Sequence, residues 1–153
     1  MTDDSTVSVV RADSEHAEQI APLFDAYRQF NGNDSDTPGA RKFLEERLGR
    51  GETVIFLAYR GADRDAVGFA QLYPTFSSVS MEKLWILNSL FVAPEARKLG
   101  AGRALLEEAR SFAVSTGAGG VKLETAANNY AAQSLYESLG WQREGVFTYF
   151  LRL

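Results

Sequence analysis

The sequence predicts an α/β domain, a mixed sheet with helices on its faces, in the order β-α-α-β-β-β-α-β-α-β. Three observations carry this. Runs with a two-residue hydrophobic period alternate with runs of helical period. A turn-rich pentapeptide, Gly61-Ala62-Asp63-Arg64-Asp65, joins two apolar runs, so the middle strands pair as antiparallel hairpins. From Leu84 to Thr125 the chain reads strand, glycine-punctuated loop, helix, strand. Such a crossover makes its two strands parallel neighbours. At 153 residues the chain is expected to be one domain, 1–153, large enough for a real core.

The elements follow in order. Val7–Arg11 alternates apolar and polar residues and reads as the opening strand. Asp13 or Ser14 caps a helix whose Ala17, Ile20, Phe24 and Tyr27 recur at spacings of three and four. Asn31–Asp36 is a polar loop. Thr37 caps, and Pro38 starts, a second helix through Leu48. Thr53–Arg60 and Ala66–Leu72 form the hairpin, and Pro74–Ser80 is expected to interrupt. Leu84–Val92 is a long strand, and the helix after its loop runs to about Thr116. Glycines 117, 119 and 120 lead into a strand, Val121–Thr125. Ala131–Leu139 is helical and stops at Gly140, and Val146–Leu153 reads as a terminal strand.

Composition narrows the chemistry. Apolar residues make up 45% and charged residues 24%, which is ordinary for a soluble globular domain. There is no cysteine, so thiolate metal sites, disulfides and a Cys nucleophile are excluded. The single histidine, His16, makes a His-based metal site or a Ser-His-Asp triad a poor fit. A net charge of −4 argues against general nucleic-acid binding. Met1–Ser5 is acidic and polar, unlike a secretory leader, and no apolar run reaches membrane-spanning length. The expectation is a cytoplasmic protein with no membrane, nucleic-acid or metal partner.

The most informative stretch is Leu90-Phe91-Val92-Ala93-Pro94-Glu95-Ala96-Arg97-Lys98-Leu99-Gly100-Ala101-Gly102-Arg103-Ala104-Leu105-Leu106. An apolar strand stops at Pro94, and a basic loop then runs into an amphipathic helix. Free backbone N–H groups at a helix start form an anion site, suited to a pyrophosphate. Gly100 and Gly102 allow close approach, and Arg97, Lys98 and Arg103 add positive charge. No Walker P-loop exists in the chain. The dinucleotide fingerprint is damaged: Gly100 and Gly102 match but Leu105 occupies the third glycine position, although Glu124 stands about 20 residues on, where a ribose-binding acid belongs. A glycine turn that merely joins strand to helix is the bland alternative.

The spacing Arg-x-x-Gly-x-Gly after a strand resembles the acetyl-CoA pyrophosphate loop of the GNAT superfamily of N-acetyltransferases. So does the order of elements. A second signature, Asn129-Tyr130-Ala131-Ala132-Gln133-Ser134-Leu135-Tyr136-Glu137-Ser138-Leu139-Gly140-Trp141, resembles that family's Asn-x-x-Ala-x-x-Leu-Tyr-x-x-x-Gly-aromatic motif. The resemblance implies the GNAT fold, with acetyl-CoA lying between splayed crossover strands. Its pantetheine arm would pair with backbone of Leu90, Phe91 and Val92. Arg97, Lys98, Leu99, Gly100, Ala101, Gly102 and Arg103 would hold the pyrophosphate, and a backbone N–H near Leu90 would face the thioester carbonyl. Tyr136 would be the general acid for the leaving thiolate, since a phenol donates without being ionised at pH 7. A half-buried tyrosine packing its ring is the plainer reading. Asn129 is either an N-cap or also a contact to the cofactor arm. Glu124 could be the base, directly or through water, although a solvated strand-end carboxylate is the plainer reading; Glu52 and Glu82 are no better placed, and His16 starts the first helix.

The implied activity is acetyl-CoA-dependent transfer to a primary amine in a ternary complex. A non-catalytic acyl-CoA-binding module on the same fold is the alternative. Tyr27, Trp85 and Asn88 are candidate acceptor contacts, for a small amine or a basic peptide. The acid that polyamine enzymes of the family tend to carry before Phe-Val is absent, replaced by Asn88-Ser89. In the terminal segment, alternation turns Phe147, Tyr149 and Leu151 to one face and Phe150 to the other. Several small GNAT enzymes cover such a second apolar face with a partner subunit, so a homodimer through this segment is expected.

Overall fold

The computed structural model describes residues 6–153, so the N-terminal reading of Met1–Ser5 lies outside the described residues. Five strands form one sheet in the order β1-β2-β3-β4-β5: β1 Val7–Arg11, β2 Val54–Arg60, β3 Asp65–Ser77, β4 Glu82–Val92 and β5 Gly120–Leu123. The first three pairings are antiparallel, and β4–β5 is parallel, as a crossover through a helix allows. The helices are α1 Ala17–Phe30, α2 Thr37–Gly49, α3 Ala101–Ser115 and α4 Tyr130–Ser138.

Local chemistry sets their starts. A 3-10 turn, Ser14–His16, precedes α1. Asp13 accepts from the Glu15 N–H at 2.9 Å, while His16 Nδ1 accepts the Asp13 N–H at 3.0 Å. This reciprocal cap occupies the only histidine. Helix α2 is capped by Asp36, which accepts from the Gly39 N–H at 3.0 Å. The expected cap, Thr37, is instead the first helical residue, with Pro38 just after it, where its missing N–H costs nothing.

Each sheet face has its own core. Helices α1 and α2 cover one face with Ile20, Phe24 and Leu44 over Leu57, Phe69 and Phe91. Helix α3 covers the other with Leu105, Leu106 and Ala109 over Phe56, Leu72 and Trp85.

Two sequence expectations are corrected. Pro74–Ser80 does not interrupt β3, which runs through Pro74 to Ser77 and pairs Pro74 with Trp85. The pairing of β2 with β3 ends at Val54–Leu72, so beyond Leu72 the strand is bonded on one side only. Proline is tolerated on such an edge. The terminal strand, Val146–Leu153, is not formed, and these residues are exposed and without regular structure. The sheet therefore has five strands where the sequence suggested six.

A buried carboxylate ties α1 to the loop before α2. Asp25 accepts from the Asp36 N–H at 2.6 Å, Ser35 Oγ at 2.7 Å and Gln29 Nε2 at 2.9 Å. The Asp36 N–H above all, helped by Ser35 and opposed by burial, holds its pKa below the ordinary 3.8. A depressed carboxylate stabilises the fold above its unfolded pKa, and that contribution is lost as pH falls through the folded value. The difference in Tm between the wild type and Asp25→Asn is therefore expected to be constant at neutral pH and to shrink only below about pH 4. Thermal melts across an acid series check this; a difference that persists undiminished below that point removes Asp25 as the source.

Candidate active site

The site starts where the sheet opens. Strands β4 and β5 pair from Leu84–Gly120 to Leu87–Leu123 and no further. Strand β4 continues to Val92, bonded to β3 alone. Residues Asn88–Val92 thus border a wedge whose other wall begins with β5 and the exposed Glu124 just after it. This leaves β4 backbone free for an extended ligand to pair with.

A bulge sits at the base of the wedge. Gln71 pairs with Ser89 and Leu72 with Leu87, so Asn88 is the extra residue. Its carbonyl accepts from the Tyr27 hydroxyl at 3.3 Å. The Tyr27 ring stands edge-on to Phe69 and Phe91, at 5.9 and 6.2 Å between centroids. Behind the bulge, Gln71 and Ser89 are buried polar residues, with Ser89 Oγ 3.4 Å from Gln71 Oε1. Gln71 Nε2 is buried without a hydrogen-bond partner. An orphaned buried donor is unusual enough to mark a functional region.

The bulge also corrects one acceptor candidate. Beyond it the strand's facing reverses, so Phe91 belongs to the α1 face while Leu87 and Trp85 belong to the α3 face. Trp85 packs on Phe112 at 5.0 Å and donates from Nε1 to Thr116 Oγ1 at 3.0 Å. It is core on the opposite face from Tyr27, and only Tyr27 and Asn88 stand together.

The loop after β4 is built for an anion. Arg97 donates from Nε to the Val92 carbonyl at 3.1 Å, holding the loop against the strand tip. Lys98 and Gly100 both take left-handed backbone, with φ of +67° and +86°. Gly100 is the N-cap of α3 and supplies no side-chain cap. The first-turn N–H groups of Ala101, Gly102 and Arg103 therefore have no side-chain acceptor. Leu99 and Lys98 are exposed, Ala101 is buried, and Arg103 pairs with Glu107 at 3.4 Å. A Cβ built on Gly102 lies 3.4 Å from Leu135 Cδ2 and 3.9 Å from Val92 Cγ2, so the helix start touches both β4 and α4.

Helix α4 carries the candidate acid. Asn129 Oδ1 caps it by accepting the Ala132 N–H at 3.2 Å, which realises the capping role. Tyr136 is half-buried, its ring 5.9 Å from Trp141. Burial, and secondarily the nearby Tyr27, push its phenol above the usual pKa of 10. Tyr73 is likewise raised by burial. Gln133, not singled out in the sequence, donates from Nε2 to the Ala126 and Ala127 carbonyls at 3.1 and 3.0 Å and so fixes the turn into α4. Glu124 accepts from Thr148 Oγ1 at 3.3 Å.

Strand tip and uncapped helix start adjoin one wedge, with the half-buried Tyr136 on the neighbouring α4. The sequence signature described as the acetyltransferase (GNAT) family matches residues 18–141. The chain belongs to that family. It is 44% identical over 144 residues to the "Uncharacterized N-acetyltransferase YhfO" of Bacillus subtilis (strain 168), covering 94% of this chain and 95% of that protein. A solved structure described as a probable acetyltransferase superposes with a TM-score of 0.89 at 41% identity, covering 95% of this chain and 97% of that one. The "D-amino-acid N-acetyltransferase HPA3" of Saccharomyces cerevisiae (strain ATCC 204508 / S288c) is 33% identical over 90 residues, 59% of this chain and 56% of its own. The mixed α/β fold is the GNAT fold, and the chain is an N-acetyltransferase. Acetyl-CoA is the family's donor. No helix among the described residues is long and apolar enough to cross a membrane.

Proposed function

We propose that the chain moves an acetyl group from acetyl-CoA directly to a primary amine, with both substrates bound at once. The observation that supports this reading is the end of β4–β5 pairing at Leu87–Leu123 beside the uncapped start of α3, which touches both β4 and α4.

The residues fit the donor. From Leu90 to Val92 the β5 side of β4 has no strand partner, apart from Arg97 Nε on the Val92 carbonyl, and this backbone is proposed to pair with the pantetheine amides. The N–H groups of Leu99 to Arg103 take the pyrophosphate, with Arg97, Lys98 and Arg103 supplying charge. Asn129, already the α4 cap, is proposed also to contact the cofactor arm. A backbone N–H at Leu90 is the donor for the thioester oxygen as it gains negative charge.

The chemistry then balances simply. The ammonium nitrogen of the acceptor loses a proton to water or Glu124. Its lone pair forms the new C–N bond as the C–S bond breaks, and the nitrogen, left positively charged, gives up its second proton to solvent. Tyr136 delivers its hydroxyl proton to the departing sulfur and is reprotonated from solvent. The raised phenol keeps that proton in place throughout the neutral range. On the acceptor side Tyr27 and Asn88 supply an aromatic ring, whose face can meet a cation, and a neutral polar group that can hydrogen-bond the amine.

Thiol release from acetyl-CoA, with a panel of D-amino acids, polyamines, aminoglycosides and basic peptides, tests the proposal. Release that depends on one class of amine is the expected result. Tight acetyl-CoA binding with no release across the panel assigns the chain to the non-catalytic acyl-CoA-binding reading.

A further inference from the structure

Two buried donor atoms of this protein have no hydrogen-bond partner. Among the described residues they are Arg47 Nε and Gln71 Nε2, and no buried side-chain oxygen is in the same position. A buried donor left unpaired costs free energy, so a pair of them asks what would bond them. The nitrogen of an acceptor amine brings protons, and its one lone pair is committed to the new C–N bond. It satisfies neither donor; an oxygen satisfies both.

The two donors belong to one side of the sheet. Phe69, Gln71 and Tyr73 are alternate residues of β3, and Phe69 lies in the core beneath α1. The cross-strand pairs on this side are Phe69–Phe91, then Gln71–Ser89, then Tyr73–Ile86. The first is apolar core, the second is polar yet only 1% and 3% exposed, and the third is half-buried. Ser89 Oγ donates to Gln71 Oε1 at 3.4 Å, which leaves the amide nitrogen at the other end of the group. Arg47 arrives from the end of α2, its guanidinium 5.3 Å over the Phe43 ring. Its Nε lies 3.1 Å from Glu52 Oε1, without the alignment of a hydrogen bond. Glu52 precedes Thr53, whose hydroxyl donates to the Leu72 carbonyl at 2.8 Å, so this ion pair adjoins β3 between Gln71 and Tyr73. Burial raises the Tyr73 phenol, Arg47 opposes that and Tyr27 adds to it, so the three are neighbours. Tyr27 also raises the Tyr136 phenol, second to burial. Tyr27 thus links the candidate acid to the side of the sheet where the donors lie.

We propose that the acceptor amine also carries a carboxylate, as an amino acid does, and that Arg47 and Gln71 bind this carboxylate while the amine turns toward the thioester. The assignment rests on the acetyl-transfer reading above and adds the acceptor's second group. A carboxylate has two oxygens with about four lone-pair sites, so it can take both donors at once, and bonds to an ionised acceptor are the strong ones. Tyr73, kept neutral, is a third donor beside them. Glu46 and Glu52 already pair with Arg47, but their side chains are 41% and 48% exposed against 24% for Arg47. A carboxylate arriving from the sheet side meets the Nε that they leave unbonded. The scale suits a small acceptor. Gln71 is opposite Ser89, the residue before Leu90, so at the backbone the donor and the proposed thioester contact are about one strand spacing of 4.8 Å and one residue step of 3.3 Å apart.

Thiol release from acetyl-CoA on matched acceptors tests this. The set is amino acids of both configurations, each with its carboxamide and its decarboxylated amine. The amide holds less of its nitrogen as ammonium, so chemistry alone favours it, and a preference for the acid reports the carboxylate. The expected result is a kcat/KM for at least one amino acid about 10-fold or more above both of its analogues. Gln71→Leu and Arg47→Gln are each expected to lower that ratio about 10-fold. The ratio is taken on one preparation and does not depend on how much of a variant is folded, so a destabilised variant still reports. Amides or simple amines used as well as the acids overturn the inference and leave acetyl transfer standing, as do variants that keep the wild-type ratio. No release from any amine, with acetyl-CoA still bound, overturns the acetyl-transfer reading and this assignment together.

Discussion

Tyr136→Phe is expected to lower kcat about 100-fold or more while leaving the KM for acetyl-CoA within a few-fold of wild type. The substitution keeps the ring and its contact with Trp141 and deletes only the hydroxyl. Packing therefore survives, and what is lost is a proton donor needed when the C–S bond breaks. A factor of 100 corresponds to about 2.7 kcal/mol of transition-state stabilisation. The pH dependence sharpens the test. Burial pushes the phenol above its usual range, so the hydroxyl stays protonated throughout the neutral range. The ratio of wild-type to variant kcat should be flat between about pH 6 and 9. A wild-type kcat in the variant, at saturating amine and with chemistry limiting, reduces Tyr136 to a packing residue.

How far such a site can be read from sequence depends on how local its determinants are. The loop from Arg97 to Arg103 is legible because strand, glycines and helix start are contiguous. The strand and helix sequence is legible for the same reason: each element carries its own period. Errors occur where a neighbour decides. Pro74 looks like a strand breaker until β2 is seen to end its pairing with β3 at Leu72. Val146–Leu153 has a strand's pattern, but a strand exists only with a partner, and alternation cannot supply one. Trp85 shares the parity of Phe91, which in an unbroken strand would put both on the α1 face. The extra residue at Asn88 reverses that and sends Trp85 into the opposite core. Asp25 as a fold tie and Gln71 as a buried site residue are not legible in the sequence because their partners, or the lack of one, depend on segments 10 to 18 positions away.

Acetyl-CoA at a hundredfold excess over its Kd is expected to stabilise the protein by about 2.7 kcal/mol, a rise in Tm of about 5 to 10 °C for a domain of this size. Gly102→Glu is expected to abolish that rise. Position 102 lies in the uncapped first turn of α3, and a carboxylate there competes for the N–H groups and repels a pyrophosphate. The same carboxylate favours the helix dipole, so the ligand-free variant should melt no lower than wild type for that reason. Loss of the shift is then not loss of the fold. Gly102→Ala is the companion: its Cβ would sit 3.4 Å from Leu135 Cδ2, an ordinary contact. A methyl adds no charge, so the alanine variant should keep most of the shift. If Gly102→Glu responds to acetyl-CoA as the wild type does, the pyrophosphate does not bind at the start of α3. If NAD stabilises the protein and acetyl-CoA does not, the loop serves a dinucleotide, and the partial match at Gly100, Gly102 and Glu124 becomes the better guide.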